Sequence, residues 1–251
     1  MNTNFFYILF IAVNLVLIQY TTSCDQRNPV KKDPQQEEIR KIYDADGNLK
    51  SQIILKDGKI NGDAITYYPS GQISTMVKYI NNKKEGIEKK YYQRGGQLYR
   101  TRPFIKGKVN GIEKRYYKTG GIKTEQEFRF NNPAVGLIEY SINGRRLTEY
   151  PKIEFDIIQE RDYAEQVLLI FYMSDKSKNV TYYSGKLLKN RYFNIEADPE
   201  LSKDGIGEIW IEPDFTGSFN ISAKVVRESR GLFITQARVR IKNGKIIKII
   251  Y

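Results

Sequence analysis

GIEKKYYQRGGQL (86–98) and GIEKRYYKTGGI (111–122) spell one pattern twice, and GDAITYYPSGQI (62–73) is a third version of it. A degenerate copy, GLIEYSINGRRL (136–147), follows, and YDADGNL (43–49) has the form of the tail of an earlier unit. The leading glycines Gly62, Gly86, Gly111 and Gly136 are 24, 25 and 25 residues apart, and a sustained period in this range marks a repeat architecture. Each unit carries two turn signals. One lies within the unit, at Pro69-Ser70-Gly71, Gly95-Gly96, Thr119-Gly120-Gly121 and Asn143-Gly144. The other precedes the leading glycine, at Asp57-Gly58, Asn81-Asn82, Lys106-Gly107 and Asn131-Asn132. Such residues accept the positive φ that tight hairpins require. The runs between them alternate with period two, as in Ile73, Thr75, Val77 and Tyr79. Each unit is therefore a β-hairpin, and residues 43–149 form an antiparallel meander. The doubled glycine at 95–96 predicts a bulge, and Pro103 predicts an edge or a local break.

Alternate residues of a strand face opposite sides, so Ile87, Lys89 and Tyr91 share one face, and Glu88, Lys90 and Tyr92 the other. Unit 111–122 repeats this with Ile112, Lys114 and Tyr116 opposite Glu113, Arg115 and Tyr117. Tyr67, Tyr91 and Tyr116 should form one column and Tyr68, Tyr92 and Tyr117 another, with about 10 Å between successive members. One column is expected to pack against the intervening strands. The exposed one, together with Lys89, Lys90, Lys114 and Arg115, is the candidate interaction surface. Tyrosine beside cations suits glycan rings, acidic lipid head groups or a protein surface.

Glycine followed five and six residues later by Tyr-Tyr, then by a turn glycine, resembles the MORN repeat, and in particular its bacterial branch often labelled as a toxin–antitoxin antitoxin component. The resemblance implies an elongated β-hairpin array that serves as an interaction or membrane-proximal scaffold. An antitoxin would act in the cytoplasm, and that reading requires an amino terminus that is no export signal.

The amino terminus points to export. Phe5 to Tyr20 is an apolar run broken only by Asn14 and Gln19, too short for a spanning helix and suited to a signal-peptide core. Thr21, Thr22 and Ser23 precede Cys24, which resembles the cleavage site of bacterial lipoproteins. Lipid attached to Cys24 would then hold residues 24–251 to a membrane of the cell envelope. Cleavage near Ser23 without lipid is a second outcome. An uncleaved anchor is a third, in which Arg27, Lys31 and Lys32 would keep the downstream domain in the cytoplasm. Residues 24–42 hold two prolines, many charges and few apolar groups, the composition of a flexible tether.

From Tyr150 onward the period is lost and β character persists. Strands are expected at 152–160, 166–173, 179–184, 191–196, 206–212, 218–227, 232–241 and 245–250. Eight short strands in about 100 residues predict a β-sandwich over 150–251, with an immunoglobulin-like topology as the fold-level expectation. Trp210 is expected in its core.

The 251 residues are 40% hydrophobic and 13% aromatic, enough for packed cores. The net charge is +12; residues 24–149 hold 25 Lys and Arg against 15 Asp and Glu. A basic excess confined to one region favours acidic partners, and export argues against nucleic acid. There is no histidine and one cysteine, which removes Ser–His and Cys–His nucleophile systems and internal disulfides. Asp44-Ala45-Asp46-Gly47 opens like a calcium loop but lacks the later ligands, and is read as a repeat turn. No catalytic residue, cofactor or metal is expected. The leading expectation is an all-β, membrane-anchored binding or scaffolding module; an envelope enzyme acting on glycans through two carboxylates is the alternative.

Overall fold

The computed structural model describes residues 37–158, 167–189, 191–200 and 202–251, and among these every regular element is a strand. The apolar run, Cys24 and the expected tether as far as residue 36 lie outside the described residues. The tether's expected last residues are not a linker: β1 (Glu38–Tyr43) pairs antiparallel along its whole length with β2 (Leu49–Lys56). Ile39, Ile42 and Tyr43 supply the β-forming side chains that the charged composition concealed.

The first nine strands run as a meander. After β1 and β2 come β3 (Lys59–Tyr67), β4 (Ile73–Ile80), β5 (Lys83–Tyr91), β6 (Leu98–Ile105), β7 (Lys108–Val109), β8 (Gly111–Tyr116) and β9 (Ile122–Arg129). With β10 (Asn132–Pro133) and β11 (Ile138–Glu139), which both pair β9, they make one 11-stranded antiparallel sheet. The turn residues behave as their chemistry demands: Asp57, Asn81, Asn82, Lys106 and Asn131 take positive φ, followed by glycines at 58 and 107. Asp44 closes the first turn, its Oδ1 accepting from the amides of Asp46 and Asn48. Gly111 is required on steric grounds as well, because its φ is +117° and a Cβ there would stand 2.9 Å from Pro103 Cγ.

The register slips by one residue just before Tyr67, Tyr91 and Tyr116. A bulge at the tyrosine pair is thus part of the repeat. The extra residue of Gly95-Gly96 makes no bulge of its own and lengthens the turn instead: the amide of Tyr92 donates to the Gln97 carbonyl where that of Tyr68 donates to the Gln72 carbonyl. Pro103 sits inside β6, and the partner strand breaks opposite it. β7 and β8 are separate pieces, and the amide of Asn110 donates to the Pro103 carbonyl at 3.0 Å.

The units are tied by hydroxyls. Tyr68 Oη donates to the carbonyl of Tyr91 (2.7 Å), Tyr92 Oη to that of Tyr116 (2.8 Å), and Tyr117 Oη to that of Tyr140 (2.7 Å). Each second tyrosine of a pair therefore fixes the first tyrosine position of the next unit. Tyr140 fills that position in the degenerate last unit.

Two four-stranded sheets follow. One has the order β12 (Ile153–Ile158), β13 (Val167–Met173), β16 (Ile206–Ile211), β15 (Ser202–Lys203). The other runs β14 (Val180–Ser184), β17 (Gly217–Val226), β18 (Leu232–Lys242), β19 (Lys245–Ile250). With β12 to β18 named A to G, the sheets read A-B-E-D and C-F-G. This is the strand order of the immunoglobulin constant-type sandwich, here with β19 added beyond G. No disulfide joins the sheets. Tyr182 on β14 is fully buried, packs edge-on against Phe171 of β13 at 5.0 Å, and lies beside Ala223 of β17. Trp210 departs from expectation and is 47% exposed. The Phe171 ring occupies the space a Cβ of Gly207 would need, so Gly207, Ile209 and Ile211 point inward and Trp210 outward.

The stretch 191–196, expected as a strand, instead clasps the end of the repeat sheet. Val135 donates to the Arg191 carbonyl and Phe193 to that of Pro133, each at 2.8 Å, and Phe193 is buried against Tyr183. Gly136 donates to the Ile234 carbonyl at 2.7 Å, and Leu137 enters the core cluster of the sandwich. The last repeat unit thus finds its cover in the sandwich, as a terminal repeat requires.

Removing one tyrosine hydroxyl should weaken the array without disturbing its packing. Tyr92→Phe is expected to lose about 1 kcal/mol and the triple variant at 68, 92 and 117 about 3 kcal/mol, read as the urea midpoint at unchanged slope.

Candidate functional site

Cross-strand partners share a face, so the register assigns every side chain of the meander to one side. The outer row runs Gln52–Ile65–Met76–Lys89–Thr101–Lys114–Glu125–Ile138 across eight strands. The inner row beside it runs Thr66–Thr75–Lys90–Arg100–Arg115–Thr124–Glu139. The four basic residues expected to form one platform are therefore divided. Lys89 and Lys114 stand on the outer face, and Lys90 and Arg115 on the inner one. Adjacent residues on a pleated strand cannot share a face.

The inner face is the buried one, and its charge is spent internally. Glu88 is 5% exposed and Glu113 is 4% exposed, positions that Ala64 fills in the first full unit. Glu88 pairs with Lys84 and, at 2.8 Å, with Arg100. Glu113 pairs with Arg102 and, at 2.9 Å, with Arg115, whose Nη1 also donates to Tyr99 Oη. Burial pushes the Glu88 carboxyl up, but hydrogen bonds and charge from Lys84 and Arg100 outweigh it and hold the group below its ordinary value. Tyr92 belongs to this side, edge-on to Tyr99 at 5.1 Å, and Lys118 stands over its ring at 5.7 Å. The column of Tyr68, Tyr92 and Tyr117 is thus half-buried and structural, its hydroxyls committed to the next unit.

The outer face is open. Ile87 is 58% exposed and Ile112 is 51% exposed, beside Lys89 and Lys114. Tyr67, Tyr91 and Tyr116 are half-buried, and the Tyr116 hydroxyl lies 3.5 Å from Thr101 Oγ1 of the outer row. Lys114 Nζ pairs with Glu125 Oε1 at 2.9 Å. That hydrogen bond raises the lysine's pKa and lowers the carboxyl's, which Tyr140 also bonds. Lys89 has no carboxylate partner among the described residues.

Sequence reasoning missed the buried Glu88 and Glu113 and their arginines. The signal was present: Gly-Ile-Glu recurs, and alternation places that glutamate opposite the isoleucine. Ordinary hydropathy would turn isoleucine inward; here ion pairing turns the glutamate inward instead. It also missed the joint, where Glu139, Arg227 and Asp175 meet. Arg227 Nε stands 3.4 Å from Glu139 Oε2, and its Nη1 is 3.3 Å from Asp175 Oδ2.

A single sheet of hairpin units, hydroxyl-stapled with a 24- to 25-residue period, defines a repeat scaffold. The family model described as the MORN repeat variant matches residues 60–81 and 109–129, which supports a MORN-type repeat protein. Those segments hold the hairpins of β3–β4 and β8–β9. A search of curated proteins gives no match. MORN repeats are in general binding and scaffolding modules.

The inner ion pairs make stability depend on acid. Because the folded-state pKa of Glu88 is lowered, its contribution is complete above the ordinary carboxylate range and fades as pH falls through the lowered value. Glu88→Gln should cost about 2 kcal/mol at pH 7, with the difference from the parent chain closing in urea titrations as pH falls through the lowered value of Glu88.

Proposed function

We propose that this chain is an envelope-tethered binding or scaffolding protein, held to a membrane by lipid on Cys24, whose outer repeat face engages an acidic surface. The observation that carries the reading is the pairing, in successive units, of an exposed isoleucine with a lysine on that face: Ile87 with Lys89 and Ile112 with Lys114. Tyr67, Tyr91 and Tyr116 border the same strip. An anionic membrane or acidic glycan would meet charge from Lys89 and, in exchange for its surface pairing with Glu125, from Lys114, and apolar contact from the isoleucines and tyrosine rings. The inner cations do not contribute, because Arg100, Arg102 and Arg115 are paired with buried carboxylates. Without histidine, and without a group of residues arranged for catalysis among the described ones, binding is the activity this chemistry supports.

Vesicle cosedimentation tests the surface. The chain should bind vesicles containing 30% phosphatidylglycerol and release them as salt rises. Lys89→Ser with Lys114→Ser should weaken binding at least fivefold, while Lys90→Ser should leave it within twofold. Equal losses from both variants would discard the outer-face assignment. Tethering is read separately: Cys24→Ala should move the chain from the membrane fraction to the soluble one, and retention in the membrane would point to an uncleaved anchor.

A further inference from the structure

At the joint between the last repeat unit and the sandwich lies a cleft of about 670 Å³, bordered by Tyr117, Tyr140, Glu139, Asp175, Arg227 and Glu228. Glu139 is 5% exposed, and its Oε2 is buried and accepts no hydrogen bond. Arg227 Nε stands off from that oxygen at 3.4 Å, an ion pair without hydrogen-bond geometry. The same guanidinium is stretched toward Asp175 Oδ2 at 3.3 Å. A buried carboxylate oxygen without a donor is costly, and native structures rarely leave one. The wall adds the ring of Tyr117, over which Lys123 Nζ already stands at 5.4 Å. Carboxylates beside aromatic faces are the chemistry that receives a cation.

We propose that this cleft is a binding site for a primary ammonium group, carried by an alkyl diamine or an amino sugar. Glu139 Oε2 and Asp175 accept from the ammonium, which has three donors to offer. Tyr117 flanks it. Arg227 is the internal cation that bridges the two acids until the ligand displaces it. Nothing in this cleft depends on what the outer face binds.

The test is an NMR titration of the full chain in mild detergent, with ring-labelled tyrosine and the Tyr117 signal assigned through its phenylalanine variant. The probes are 1,5-diaminopentane and glucosamine, with N-acetylglucosamine as the uncharged control. A saturable shift of the Tyr117 ring is expected with at least one amine and not with the control. Response to glucosamine alone assigns the site to amino sugars; response to the diamine assigns it to alkylammonium groups. Asp175→Asn, on an exposed turn, should weaken binding about tenfold. Arg227→Gln, checked for folding by near-ultraviolet circular dichroism, should tighten it severalfold. The proposal is overturned if neither amine shifts the Tyr117 ring, if the control binds equally well, or if both variants keep the parent affinity.

Discussion

The repeat sheet depends on a tyrosine hydroxyl that leaves its own hairpin and donates to the main-chain carbonyl of the next. A one-layer sheet has no second sheet to pack against, so its register must be fixed along its length. Strand pairing alone allows slippage, and a one-residue slip exchanges the two faces. The bond from Tyr92 to Tyr116, like its equivalents at Tyr68 and Tyr117, ties side chain to backbone across a full unit and bars that slip. The bulge ahead of each pair is what brings both tyrosines to the strand end.

With register fixed, charge can be placed where it would otherwise be ruinous. Glu88 and Glu113 are buried on the inner face, and each is met by two cations. Buried ion pairs of this kind are weak sources of net stability. They do exclude the alternative in which the isoleucines turn inward, because that would expose the paired arginines' stems and leave the acids without partners. The isoleucines are thereby left outside, next to lysines. The composition of the outer face follows from what the inner face requires.

Much of this was legible in the sequence. The glycine spacing gave the hairpin period, and the turn dipeptides located β2 through β9 closely. In the sandwich, alternation in Phe219 to Val225 and in Phe233 to Ile241 located β17 and β18. What escaped detection shares one cause: period two defines two faces without saying which is buried. Trp210 looked like core because tryptophan usually is, yet Gly207, beneath the Phe171 ring, sets the opposite parity. Lys89 and Lys90 looked like one patch because they are neighbours in the chain. Residues 191–196 read as a strand because tyrosine, phenylalanine and isoleucine cluster there, while their partners are the ends of the repeat sheet and Glu127. Glu139 and Arg227 are 88 positions apart in sequence, beyond any local pattern.

The two ends of the repeat sheet are not alike. β10 and β11 are sealed against the sandwich, while β1 is, among the described residues, an edge strand whose six residues are all exposed. The array therefore has a direction of growth. A 24- or 25-residue unit gained or lost near β1 changes the sheet by two strands, about 10 Å, and leaves the joint and its cleft untouched. Repeat number works as a ruler: it sets how far the sandwich stands from residue 37 without altering anything the sandwich touches.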